Sequence, residues 1–171
     1  MDERSAVIDE TGMYRYVLGR RLGNLPGRLL WVMLNPSRAD HVVDDPTIRK
    51  CKAFGHLWGF GEMRVVNLFA FRATDPKELL TAADPVGPEN DKHIGEQIAW
   101  ATRIVLAWGN VPSKIDRLFK SSGYYTRSGF VTWKVTHQPV IKEVLCLGWT
   151  GQSQPRHPLY LPYTADLIKV P

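Results

Sequence analysis

Four short apolar segments constrain this chain more than any other feature. They are RLLWVML (28–34), MRVVNLFAF (63–71), RIVLAWG (103–109) and EVLCLG (143–148). Each is apolar at consecutive positions rather than alternate ones, the pattern of a strand covered on both faces. Each is far too short to span a bilayer. Strands of this kind need helices to cover them, and the intervening sequence supplies helical patterns.

After the first segment, Asp45 and Pro46 form a helix start. Ile48, Cys51, Phe54, Leu57 and Trp58 then recur at helical spacing, and Gly59 and Gly61 close the run. A second helix follows Pro88, with Glu89 and Asp91 in its first turn. SKIDRLFKSSG (113–123) reads as a third, with Ser113 and Asp116 spaced as a capping box and Gly123 as its stop. GFVTWKVTH (129–137) alternates and predicts an exposed strand, and MYRYVLGRRL (13–22) an early, partly exposed one. Strand–helix alternation predicts an α/β fold in three layers. Its centre is a short, mainly parallel four-stranded sheet, with extra N-terminal and edge strands. At 171 residues the chain suits a single domain, 1–171, with residues 1–12 as a flexible tail.

In such sheets, ligands bind outside the carboxyl ends of the strands. Polar clusters follow those ends here: Asn35-Pro36-Ser37-Arg38, Arg72-Ala73-Thr74-Asp75, Gly109-Asn110 and Arg156-His157. Asn35 offers two donors and an acceptor beside the rigid turn at Pro36. Asn67 lies inside an apolar strand, where its amide must be satisfied. Either it bonds a neighbouring loop, or it presents an oxygen and an NH2 to the edge of a ligand. Asp40, His41, Asp44 and Asp45 offer a carboxylate cluster for Mg²⁺ or Mn²⁺, the basis of a metal-dependent phosphoesterase reading. Asp45 already has a role as helix cap. Arg49, Lys50, Lys52 and His56 share the outer face of the first helix, where they track phosphates or simply meet solvent.

The net charge of +5 permits a nucleic-acid or nucleotide partner without requiring one. Cys51 and Cys146 have no metal-ligand spacing and read as reduced, buried thiols. The charged start MDERSAVIDE is unlike a signal peptide, so a cytoplasmic location and no membrane partner are expected. No G-x-S-x-G, Walker, G-x-G-x-x-G or H-E-x-x-H motif occurs.

The segments MLNPSRAD, DDPTIRKC, VVNLFAFRATDP, DPVGPEND, AWG and PRHPLYL resemble, in order, a bacterial and phage domain family of unknown function. More distantly, the motif order resembles the uracil-DNA glycosylase superfamily. In those enzymes a first strand ends in a G-x-D-P-Y or G-x-N-P-G motif, a later strand carries a base-reading asparagine, and a histidine loop follows the last strand. The resemblance implies a nucleobase site without metal or cofactor. Asn35 would position a water, Asn67 would read the base edge, and His157 would stabilise the departing base. Pro36, Ser37, Arg38, Arg72, Asn110 and Arg156 would complete the binding surface. Leu159 and Tyr160 stand where the glycosylase loop has small serines, and Met33 replaces the first glycine of the strand-end motif. The expected function is a nucleobase or nucleotide site with N-glycosylase chemistry. The alternative is a binding module without that chemistry.

Overall fold

A computed structural model describes residues 4–37, 43–118, 126–140 and 142–171. Its strands are β1 (Arg4–Ile8), β2 (Arg15–Arg21), β3 (Arg28–Met33), β4 (Glu62–Asn67), β5 (Arg103–Leu106), β6 (Glu143–Cys146) and β7 (Ile168–Lys169). Its helices are α1 (Pro46–Leu57), α2 (Asn90–Trp100), α3 (Ser113–Asp116) and α4 (Arg127–Thr136), with a 3-10 turn at Pro76–Leu80. The strands form one sheet in the order β1-β2-β4-β3-β5-β6-β7.

This corrects the expected sheet. The fold is α/β, but the sheet has seven strands and is mixed, not a short, mainly parallel four-stranded one. Pairings β4–β3, β3–β5 and β5–β6 are parallel, whereas β1–β2, β2–β4 and β6–β7 are antiparallel. The antiparallel strands escape a reading based on apolar runs for a physical reason. β1 is an edge strand with an alternating, largely open face, and β7 is only two residues long. Residues 4–8 are therefore a paired strand and not a flexible tail.

Burial on both faces explains the apolar runs. Leu30 and Val32 of β3 pack into a core with Ile94 and Ile98 of α2 and Val131 and Val135 of α4. Leu29, Trp31 and Met33 point the other way, onto Ile48, Cys51 and Phe54 of α1. Both cysteines are free and buried, and burial pushes the Cys51 thiol well above its ordinary pKa. The parallel register places Met33 opposite Asn67, so β3 and β4 end at the same level.

Local chemistry sets the helix ends. Asp45 caps α1, its side chain accepting from the Ile48 amide at 2.8 Å, and Pro46 opens the first turn. Gly59 adopts φ +75° just beyond the last turn, where a side chain would be strained.

The segment expected as an exposed strand at 129–137 is helix α4. Its alternation coexists with an i, i+4 pair, Val131 and Val135, both buried, and tertiary burial of that stripe decides the outcome. The expected third helix is also shorter: α3 covers Ser113–Asp116 and has no side-chain cap. Asp116 faces α4 instead, accepting from the Ser128 amide at 2.8 Å and its hydroxyl at 2.7 Å. The Gly123 stop lies outside the described residues.

Candidate functional site

β3 and β4 end side by side beneath the start of α1, and the space between them is a cavity of about 260 Å³. Met33, Val65 and Asn67 form its sheet side, and Asp45, Thr47 and Ile48 its helix side. Asn35, Ser37, Ala73 and Thr74 come from the loops after β3 and β4, and Trp108 and His157 close it from the β5 and β6 ends. Arg15 of β2 completes the wall.

Each polar group has a distinct state. Asn35 donates through Nδ2 to the carbonyls of Ala73 (2.9 Å) and Pro36 (3.2 Å), which fixes the amide plane. Its Oδ1 has no hydrogen bond among the described residues and is left as an acceptor. Asn67 is 3% exposed, yet its side-chain amide bonds to no described residue. Its backbone, by contrast, is held: Asn90 Nδ2 donates to the carbonyls of Asn67 (3.1 Å) and Leu68 (3.2 Å), and Arg127 Nε donates to Leu68 at 2.6 Å. The strand end is anchored from behind while the Asn67 amide faces the cavity.

His157 accepts the Leu159 amide at Nδ1 (3.3 Å), which puts the proton of the neutral ring on Nε2. Burial lowers its pKa, and the opposing pull of Asp45 does not restore it. The imidazole is therefore neutral at pH 7. Its loop approaches Gly109, which adopts φ +72° and donates its amide to Pro155 at 2.8 Å. A Cβ on Gly109 would lie 3.2 Å from the His157 Cβ, so a side chain there would press on the loop. Trp108 donates to Gln154 at 2.7 Å and ties down the same loop.

Of the residues named from the sequence, Asn35, Ser37, Asn67 and His157 meet in this cavity. Pro36 is buried beside it, its carbonyl accepting from the Ala73 amide at 2.9 Å. Arg72 does not line it: its guanidinium donates to Gly12 at 2.9 Å, in a separate hollow with Thr11 and Met13. Asn110 and Arg156 are exposed and also stand apart from the cavity lining. Arg38, Asp40 and His41 lie outside the described residues.

The acidic cluster has other uses. Asp44 pairs with Arg20 at 2.7 Å and with Lys52 at 2.8 Å. Burial acts to raise its pKa, but the hydrogen bonds from Lys52 and Arg20 outweigh this and hold it below the ordinary carboxylate value. Asp45 is committed to its cap and accepts from Ser37 Oγ at 3.3 Å. Among the described residues, no three His, Cys, Asp or Glu side chains converge as a metal site. The basic face of α1 is partly engaged as well, Arg49 bonding the Asp44 carbonyl and Lys50 lying 3.6 Å from the Tyr163 ring centre.

Sequence reasoning missed Arg15, Trp108 and the Asn90–Arg127 support. Arg15 gave no such signal as Asn67 did, because β2 reads as partly exposed although the structure buries all of it but Arg21. Among the described residues, no helix is long and apolar enough to cross a membrane.

The chain matches no curated protein and no solved structure. One family does match, over residues 15–159, a span that contains every residue lining the cavity. By that match, the chain belongs to DUF1643, a family described as protein of unknown function.

Proposed function

We propose that the cavity recognises a nucleobase, in a nucleotide or a nucleic acid, and that the protein hydrolyses the N-glycosidic bond to it. One observation carries this reading. A buried asparagine amide that bonds to no described residue lines the same small cavity as a fixed asparagine oxygen and a neutral histidine. Asn67 offers a donor and an acceptor side by side, complementary to the two-atom edge of a base. His157 presents Nε2–H to the base as it leaves with the electron pair of the broken C–N bond. Asn35 Oδ1 orients the water whose oxygen joins the sugar carbon, and the proton that this water sheds passes through solvent to the departed base anion. Neither Leu159 nor Tyr160 lines the cavity, and Tyr160 is 91% exposed.

A second reading is recognition without hydrolysis. It is favoured by the carboxylate inventory: Asp45 is the one carboxylate among the described lining residues, and both its oxygens already accept hydrogen bonds. It is therefore poorly placed to take a proton from water.

The test is a panel of bases, nucleosides and nucleotides screened by thermal shift, followed by chromatography for released base. Binding that is lost in Asn67→Ala supports the site. Base release that is lost in Asn35→Ala or His157→Ala, with binding kept, supports hydrolysis. Binding without release favours the second reading. No binding by any base compound overturns both.

A further inference from the structure

We infer that Arg15 is an anion anchor, and that the cavity receives a ligand bearing an oxyanion, a phosphate or a carboxylate. The base-binding proposal supplies the rest of that ligand, but the anchor is argued separately.

Arg15 is 6% exposed and lines the cavity from β2. Its Nε is enclosed without a hydrogen-bond partner, and its guanidinium forms no ion pair with any described residue. The other buried arginines are treated differently. Arg20 bonds Asp44 at 2.7 Å, while Arg127 bonds the Leu68 carbonyl and pairs with Asp91 at 2.6 Å. Of these three, Arg15 is the one that lines the cavity, and it has no ion pair among the described residues.

Asp45 lines the same cavity, but its oxygens are held by the Ile48 amide and the Ser37 hydroxyl. It attracts Arg15 through space without contact, while the Arg20 and Arg72 charges repel it. Burial lowers the Arg15 pKa to about 10, so it is fully charged at neutral pH.

A guanidinium has five donors and no acceptor, so only an acceptor group can satisfy it. An unpaired buried charge is unfavourable in the empty protein, and a bidentate oxyanion removes that penalty. The first turn of α1 lines the same cavity through Thr47 and Ile48, and its positive dipole end reinforces the preference. Phosphate and carboxylate share this chemistry, and the experiment separates them.

The test compares the wild type with Arg15→Met, Arg15→Gln and Arg15→Lys. Each is melted alone and with inorganic phosphate, a nucleoside, its 5′-monophosphate, a neutral pyrimidine and the same pyrimidine bearing a carboxylate. In the wild type, one charged ligand should bind about tenfold or more tightly than its neutral counterpart, as a charge-assisted pair warrants. Arg15→Gln should abolish the preference, and Arg15→Lys should keep part of it. Arg15→Met, which removes the unpaired charge, should raise the ligand-free Tm. A fall in that Tm, or a preference unchanged in Arg15→Gln, overturns the inference. Charged and neutral ligands binding equally well, in wild type and Arg15→Gln alike, would sink the anchor and leave the base reading standing. Arg15-dependent binding of phosphate alone would do the reverse.

Discussion

Gly109 donates its backbone amide to the carbonyl of Pro155 at 2.8 Å, hanging the His157 loop on the end of β5. Gly109 reaches this geometry at φ +72°, and a Cβ there would sit 3.2 Å from the His157 Cβ. Gly109→Ala should destabilise by about 1–2 kcal/mol from the left-handed conformation alone. It should also displace His157. Urea denaturation checks the first effect, and loss of base-ligand thermal shift the second. An Ala variant as stable and as responsive as wild type would refute this account of the loop.

Asn90 should matter more than its distance from the cavity suggests. It is fully buried on α2, and its Nδ2 serves the carbonyls of both Asn67 and Leu68. Asn90→Ala leaves these acceptors without that donor, a loss of about 2 kcal/mol. Hydrogen exchange around 66–69 should quicken while α1 is unaffected. Uniform quickening would mean that Asn90 supports the fold at large and not the strand end.

Asp44 makes acid sensitivity local. Arg20, its partner, is 1% exposed at the side chain, so Asp44→Asn should cost about 3 kcal/mol, as when one member of a buried pair is removed. The Asp44 pKa is lower folded than its ordinary 3.8. Its contribution is therefore complete above about pH 4 and fades as pH falls through the depressed folded value. Stability curves of wild type and Asp44→Asn should converge in strong acid and separate toward neutrality. Parallel curves would contradict the pairing.

His157 has the opposite preference for its charged form. Its folded pKa lies below the ordinary 6.5 because burial disfavours the imidazolium. Protonation is then easier in the unfolded chain, and stability from this group declines as pH drops below about 6.5. An NMR titration of the His157 ring should show a midpoint under 6.5. A midpoint at or above that value would remove the neutral donor from the proposed chemistry.

The sequence made the buried strands and the α1 cap legible because apolar runs and the Asp-Pro start are local signals. It also brought out Asn35, Ser37, Asn67 and His157, since polar residues at the ends of apolar strands stand out. It hid β1, β7 and α4 because their identity depends on partners. β1 is specified by its pairing with β2, and α4 by burial of Val131 and Val135 and by the Asp116 carboxylate from another helix. Arg15 was concealed in the same way. Among the tyrosines and arginines at 14–21 it looks like an exposed strand residue, and only the tertiary structure buries it, its amide donating to the Ala70 carbonyl beyond β4.

The Met33–Asn67 register has one more consequence. Side chains alternate between the two faces of the sheet, so sliding β4 by a single residue would swap Asn67 for Val66 on the α1 side. The hollow would then be lined with hydrocarbon, and the amide would be driven into the core beside α2. Length between Arg28 and Asn67 is therefore rationed: insertions that alter either strand should be tolerated far less well than insertions in the loops, however mild the residue added.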